Sequence, residues 1–98
     1  MSLGHDRERA LVKTLRAAGW FAMRSPASKG VADVIALKAG HRPRMIEIKA
    51  TTRSPFVSFG PAERDELRLA AELAGAEPWL VWHPPRGERQ WLRPEDWP

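Results

Sequence analysis

The sequence predicts an α/β fold in which helices flank a central mixed five-stranded sheet. Two segments have apolar residues at helical spacing and five have strand-like patterns, in the order α-β-β-β-α-β-β. The chain has 98 residues, which is the size of one domain. We therefore interpret residues 1–98 as a single α/β domain.

The first predicted helix begins with Asp6 as its N-cap and runs to about Ala18, where Gly19 ends it. Glu8 lies on the apolar stripe of this helix. A carboxylate on an inward stripe must find a partner or turn towards solvent. The alternative is an ordinary first-turn glutamate stabilised by the helix dipole. The stripe consists of Leu11, Val12, Leu15 and Ala18.

The central hairpin brings two acids together. After a short strand at residues 20–23 and a polar loop at 24–30, two strand-like segments flank a turn at Ala39-Gly40-His41. That turn pairs residues whose numbers add up to 80, which sets Asp33 opposite Glu47. Side chains alternate along a strand, so Lys49 shares a face with Glu47. The predicted faces are Val31, Asp33, Ile35 and Leu37 on one strand and Met45, Glu47 and Lys49 on the other.

Like charges on opposed Cβ atoms about 5 Å apart destabilise a sheet unless something compensates them. Carboxylate oxygens this close fit Mg²⁺ or Mn²⁺ better than zinc. The sequence therefore predicts a divalent-metal site at Asp33 and Glu47, with Lys49 beside it. The alternative is a solvated hairpin in which Lys49 neutralises Glu47.

The second half of the chain supplies a loop, a helix and two more strands. The loop at residues 51–59 is predicted to be a flap that faces a substrate, and it contains Arg53, Phe56 and Phe59. A helix follows from Pro61 until Gly75 stops it. Its predicted inward residues are Leu67, Ala70, Ala71 and Ala74. Strands are predicted at 79–83 and 90–92 around a turn at 84–88.

The aromatic and histidine residues favour structural roles. Core or interface burial is the favoured interpretation for Trp20, Trp79 and Trp82, because they lie in strand patterns. The three histidines are scattered over a terminus, a hairpin tip and a strand end, and none is predicted to be catalytic; they are His5, His41 and His83.

The composition limits the kinds of binding partner and the cellular compartment that we expect. Sixteen basic and twelve acidic residues give a net charge of +4, which favours a polyanionic partner such as nucleic acid. The chain has no cysteine, so disulfides, thiolate metal sites and cysteine nucleophiles are excluded. It contains neither an apolar run long enough to span a membrane nor the apolar core of a signal peptide. We expect a cytoplasmic protein with no membrane partner.

Four positions in order resemble a known family. These are Glu8 in the first helix, the loop at residues 24–30 with Ser28, Asp33 on the following strand, and Glu47-Ile48-Lys49 on the next. Together they look like the archaeal-type Holliday-junction resolvases, which belong to the PD-(D/E)xK nuclease superfamily and have a restriction-endonuclease-like fold. The resemblance covers about residues 3–80, and residues 81–98 carry no match.

The resemblance implies roles for the acidic cluster. Asp33 and Glu47 would bind Mg²⁺, for which Mn²⁺ would substitute, and the main-chain carbonyl of Ile48 would be a further ligand. Glu8 would complete the centre through a metal-bound water. Lys49 would position the attacking water or stabilise charge on the phosphate, and hydrolysis would leave a 5′-phosphate.

The resemblance also implies contacts from the loops. Ser28 would touch the metal-bound water or the phosphate, although a turn hydroxyl bonded to its own backbone is the alternative. Neighbouring phosphates would be bound by Arg9, Arg24 and Lys29, and Lys29 could equally be a solvated charge. With the flap residues, the predicted DNA contacts are Arg9, Arg24, Lys29, Arg53, Phe56 and Phe59.

The resulting functional prediction is an endonuclease that resolves four-way DNA junctions with paired nicks. Two opposed cuts need two metal centres, so we expect a two-fold homodimer, with its interface through the second helix and the Trp79 strand. One alternative is another nuclease of the same superfamily that acts in repair or restriction. Another is a non-catalytic DNA-binding module whose acid pair is structural.

Overall fold

The computed structural model describes residues 3–25 and 31–98, and it contains two α-helices and five strands in the predicted order. The elements are α1 (Leu3–Ala17), β1 (Phe21–Arg24), β2 (Val34–Leu37), β3 (Arg44–Ala50), α2 (Pro61–Ala74), β4 (Glu77–His83) and β5 (Gln90–Leu92), with 3₁₀ turns at Pro55–Val57 and Pro94–Asp96. Neither α-helix is both long and apolar enough to cross a membrane, and this holds for the described residues.

The strands form one mixed sheet in the order β1-β2-β3-β4-β5. Strands β3 and β4 are parallel, and the other three neighbouring pairs are antiparallel. The β2–β3 hairpin pairs Val34 with Ile46 and Ile35 with Met45, which is the predicted register. The mixed five-stranded sheet and the hairpin pairing are therefore confirmed.

The helices cover opposite faces of the sheet. This is seen from the buried clusters, since alternate residues of β3 and β4 belong to different ones. The α1-side cluster is Leu11, Val12, Leu15, Trp20, Ala22, Val34, Ala36, Ile46 and Val81. The α2-side cluster is Ala32, Phe59, Leu67, Leu80 and Trp97. The sheet is thus the middle layer of an α/β/α arrangement, and its edges position the functional side chains.

Helix α1 begins earlier than the sequence predicts. It starts at Leu3, so Asp6 lies in the first turn and is not the N-cap. It ends at Ala17, and Gly19 adopts a φ of 91° in the left-handed region that glycine favours. The predicted inward residues Leu11, Val12 and Leu15 are buried, whereas Ala18 is exposed.

Strand β2 begins later than the sequence predicts. Its first residue is Val34, so Val31 lies outside the strand and Asp33 immediately precedes it. Ala32 packs in the α2-side cluster and Val34 in the α1-side cluster, so the two-residue alternation breaks at Asp33. The physical reason is that the Asp33 carboxylate, rather than a strand carbonyl, accepts the Ile48 N–H.

The flap phenylalanines differ from the prediction. Phe59 is fully buried and meets Trp97 edge-to-face, with ring centroids 5.0 Å apart. The predicted contact of Phe59 with DNA is therefore wrong, because its ring belongs to the core. Phe56 is half-buried against the same cluster. The last residues of the chain thus close the α2 side of the core.

The strand tryptophans are buried or half-buried, as predicted. Trp20 is 8% exposed, and Trp79 packs edge-to-face on Trp91 at 5.5 Å. The Arg44 guanidinium lies 4.5 Å from the Trp20 ring and 4.9 Å from the Trp79 ring. Trp82 is half-buried and donates its indole N–H to the Thr51 hydroxyl.

Candidate active site

Two backbone-anchored contacts place Asp33 beside Glu47. The Asp33 N–H donates to the Ile46 carbonyl at 2.8 Å, and Asp33 Oδ2 accepts the Ile48 N–H at 2.8 Å. Glu47 lies between these two residues on β3. Asp33, just before β2, and Glu47, the middle residue of β3, therefore hold two carboxyl groups together at the edge of the sheet where β2 begins.

The Glu47 carboxyl group has strongly altered acidity. Its pKa is raised from the ordinary 4.5 to about 9, mainly by burial, and also by the hydrogen bond with Asp33 and by the Asp33 charge. Glu63 acts in the same direction, whereas Lys49 lowers this pKa. In the metal-free protein the pair therefore retains a proton at neutral pH.

This acid pair fits a divalent cation. Its donors are hard carboxylate oxygens on adjacent strands, which Mg²⁺ and Mn²⁺ prefer. A cation would replace the retained proton and compensate the buried negative charge. Ile48 lies beside the pair through its N–H, and the role of its carbonyl as a ligand stays a prediction.

Lys49 has a carboxylate partner that the sequence did not indicate. Its Nζ lies 3.5 Å from Oε2 of Glu63, in the first turn of α2. The Lys49 side chain is 22% exposed and that of Glu63 is 49% exposed. Helix α2 thus helps to place the ammonium group next to the acid pair. The available signal was the position of Glu63 just after the helix start at Pro61.

Glu8 is not drawn into the acid pair. Its Oε1 accepts a hydrogen bond from Arg24 Nε at 3.1 Å, in an ion pair that is half-buried. Arg24 is the last residue of β1 and pairs with Val34, so Glu8 lies near the same end of the sheet on its α1 side. Within 3–25 and 31–98, no three acidic or histidine side chains gather into a metal-binding group. The water-mediated role of Glu8 stays a prediction.

The remaining predicted contacts are spread around this edge. Arg9 and Arg24 line one groove, between α1 and β1. Arg53 is exposed, and the Arg64 guanidinium lies 5.8 Å from the Phe56 ring. Ser28 and Lys29 lie outside the described residues. None of the histidines joins the acid pair among the side chains that the structure describes.

Comparison with known families identifies the family of the chain that carries this site. The sequence profile of the archaeal Holliday junction resolvases (Hjc) matches residues 1–97. The chain belongs to this resolvase family. The match includes residues 81–97, which the sequence resemblance had left unmatched, and it agrees with the burial of Trp97 in the core.

A solved structure of the family has the same fold. The 1.6 Å structure of the Holliday junction resolvase Hjc from the hyperthermophilic archaeon Archaeoglobus fulgidus superposes with a TM-score of 0.73. The identity is 23%, and the match covers 89% of this chain and 75% of the Archaeoglobus chain. No curated protein sequence matches this chain. The restriction-endonuclease-like fold and the resolvase assignment are therefore confirmed.

Proposed function

We propose that this family member cuts four-way DNA junctions by phosphodiester hydrolysis with Mg²⁺ held by Asp33 and Glu47. The observation that supports this most strongly is the adjacent, half-buried carboxyl pair of Asp33 and Glu47, in which Glu47 retains a proton to about pH 9. Two adjacent half-buried carboxyl groups, one of which must keep its proton, are unfavourable as a purely structural feature. The non-catalytic DNA-binding module is therefore the weaker interpretation.

Each residue of the edge has a proposed task. Asp33 and Glu47 hold the cation, and Glu47 releases its proton when it does so. A cation held by these two residues would polarise the scissile phosphate and lower the pKa of a water bound to it. Lys49 donates from Nζ to the attacking water or to the phosphate oxygens as charge develops on them. Glu63 keeps that ammonium group in place.

The decisive experiment compares cleavage and binding on three DNA substrates. A mobile junction, a fixed junction and a linear duplex are each incubated with wild type and with Glu47→Gln, in Mg²⁺ or in EDTA. We expect wild type to cut only the junctions and only in Mg²⁺. Glu47→Gln is expected to bind junctions normally and to lose at least about a hundredfold in cleavage rate.

The matched control is Glu95→Gln, which neutralises an exposed glutamate outside the acid pair and outside α2 and should behave as wild type. Comparable cutting of the linear duplex would overturn junction selectivity and favour a repair or restriction nuclease. Unchanged behaviour of Glu47→Gln in every assay would favour the DNA-binding module. The proposed 5′-phosphate is tested by sealing the nicked products with DNA ligase, since failure to seal would contradict it.

We further propose that the protein acts as a two-fold dimer, because paired nicks need two centres. The α2 side of the sheet carries exposed apolar side chains that a second copy would cover. They are Phe21, Met23 and Leu37 on β1–β2, and Leu69 and Leu73 on α2. The sequence predicted an interface through α2 and the Trp79 strand. Because Trp79 packs on the opposite face of the sheet, the interface proposed here consists of α2 and β1–β2.

Sedimentation velocity tests this dimer. Leu73→Glu and Phe21→Glu are expected to convert a micromolar dimer to monomers and to replace paired nicks by single nicks. Val57→Glu places the same charge on a side chain that is 80% exposed outside the proposed interface, and it should remain dimeric. Wild type that sediments as a monomer at micromolar concentration would overturn the proposal.

A further inference from the structure

A groove of about 830 Å³ lies between α1 and the β4–β5 hairpin, on the opposite side of the sheet from α2. Two arginines and a histidine line it: Arg7 on α1, His83 at the end of β4 and Arg89 just before β5. Half-buried Trp91 forms an apolar part of its wall. None of these residues takes part in the proposed chemistry.

Three nitrogen atoms in this groove are buried without a hydrogen-bond partner. They are Arg7 Nε, His83 Nε2 and Arg89 Nη1. In the described ranges only Arg44 Nε and Arg93 Nε share this condition, and each of those lies within 4.0 Å of a glutamate oxygen. A buried donor without an acceptor is unfavourable. The groove therefore contains three buried nitrogen atoms that form no hydrogen bond with any described residue.

The groove is lined by two arginines and two carboxylates, and the buried atoms without a partner belong to the arginines and to His83 and not to the carboxylates, which favours an anion. Asp6 and Glu88 also line it, but both are exposed, and neither forms an ion pair with Arg7 or Arg89. The pKa of His83 is lowered by burial first and then by the positive charges of Arg7 and Arg89. An approaching anion would offset those positive charges and reverse part of the shift.

The groove lies at the same end of the sheet as the candidate active site but on the α1 face, whereas Lys49 pairs with Glu63 on the α2 face. His83 pairs with Ala50 across the parallel β3–β4 ladder, one residue beyond Lys49. Arg7 precedes Glu8, whose carboxylate pairs with the last residue of β1. DNA held at the acid pair would therefore have this groove within reach of its neighbouring backbone. Arginine forks match phosphate oxygens well.

We propose that Arg7, His83 and Arg89 form a second phosphate site that binds a non-scissile backbone phosphate of the DNA substrate. The inference rests on the proposed function for the identity of the substrate. It adds a contact region between α1 and the β4–β5 hairpin, separate from the groove of Arg9 and Arg24 and from the predicted contacts of the 51–59 loop.

The first test follows the histidine rings of the wild-type protein by NMR in EDTA, where the DNA is bound but not cut. We expect junction DNA to raise the pKa of His83 by about one pH unit, as a nearby opposite charge does. His41, which is exposed at the β2–β3 turn and contacts Trp20, is the internal control and should not change. Inorganic phosphate is titrated in parallel to probe a free anion.

The second test measures junction affinity as a function of salt. The double variant Arg7→Ala and Arg89→Ala is expected to bind about tenfold more weakly and to reduce the salt slope by about one to two phosphate contacts. Arg86→Ala removes an exposed arginine from the same β4–β5 turn and should match wild type.

Two results would overturn the phosphate site. One is an unchanged His83 with a double variant no weaker than Arg86→Ala, and the other is a His83 response to inorganic phosphate but not to DNA. Both measurements are made without cleavage. A protein that binds junctions through this groove but never cuts them would thus contradict the proposed function and not the site.

Discussion

Lys49 and Glu63 join the sheet to helix α2 through an ion pair, with 3.5 Å between Nζ and Oε2. Lys49 lies two residues beyond Glu47 on β3, and Glu63 lies in the first turn of α2. The helix that covers one face of the sheet therefore also orients the Lys49 ammonium group beside the acid pair. This contact connects the packing of the domain to its proposed chemistry.

Glu63→Gln tests whether that orientation matters for cleavage. A half-exposed ion pair contributes at most about 1 kcal/mol, so the loss of Lys49 positioning should slow single-turnover cleavage by about fivefold. Junction affinity and the free energy of unfolding should change little. Asp65→Asn is the matched control, since it removes a carboxylate from the same helix whose partner is Arg68. Equal cleavage rates for both variants and wild type would contradict the role of Glu63.

Glu47 should make the stability of the metal-free protein depend on pH. Its pKa is raised from 4.5 to about 9, so the folded state retains a proton that the unfolded chain releases in this interval. Stability must therefore fall as pH rises from about 4.5 to about 9, and the penalty is complete only above the folded pKa. We expect urea unfolding in EDTA to show wild type less stable at about pH 9 than at about pH 6.

Glu47→Gln should remove this contribution, so its free energy of unfolding should rise relative to that of wild type as pH rises. Glu66→Gln should keep the wild-type pH dependence, because its exposed carboxyl group lies outside the acid pair. The same slope in Glu47→Gln and wild type would show that the raised pKa does not govern the stability of the fold.

The sheet was predictable because its determinants are local. Alternation on β2 and β3 and one short turn were enough to give the observed pairing of Val34 with Ile46. The start of β2 was not predictable in the same way. It depends on the Asp33 side chain accepting a backbone N–H fifteen residues later, and a two-residue pattern contains no information about such a contact.

The sequence predicted the candidate site residues that lie on the β2–β3 hairpin. It did not predict the side-chain partners that come from distant parts of the chain. Glu47 and Lys49 share a face because of strand geometry alone. The partner of Lys49 comes from α2 and that of Glu8 from β1, and neither pairing follows from spacing. Phe59 was assigned to DNA because a loop phenylalanine resembles a surface contact, whereas its burial is set by a tryptophan near the chain end.

Glu8→Gln and Arg24→Ala separate the two roles open to Glu8. If Glu8 reaches the metal through a water, Glu8→Gln should weaken Mn²⁺ binding and slow cleavage by about tenfold or more, with junction affinity retained. Arg24→Ala breaks the same ion pair but should leave Mn²⁺ affinity unchanged and weaken DNA binding. Mn²⁺ titration by isothermal calorimetry and junction binding in EDTA measure these outcomes. Equal Mn²⁺ affinity in both variants would reduce Glu8 to an ion-pair partner of Arg24.

Trp97 should contribute strongly to stability although it lies one residue from the chain end. Its ring meets Phe59 edge-to-face and lies 5.1 Å from the Arg68 guanidinium, and its indole N–H donates to the Leu92 carbonyl at 3.3 Å. Trp97→Ala should therefore cost about 3–5 kcal/mol in the free energy of urea unfolding, a large part of the stability of a small domain.

Trp97→Phe keeps an aromatic ring but loses the indole hydrogen bond, so it should cost less than Trp97→Ala, with about 1 kcal/mol from that bond. Val57→Ala is the control and should change stability by less than about 0.5 kcal/mol, because that side chain is 80% exposed. Cleavage per folded molecule should be unchanged in all three variants, since none of these side chains lies at the acid pair. A Trp97→Ala protein as stable as Val57→Ala would mean that the chain end does not close the core.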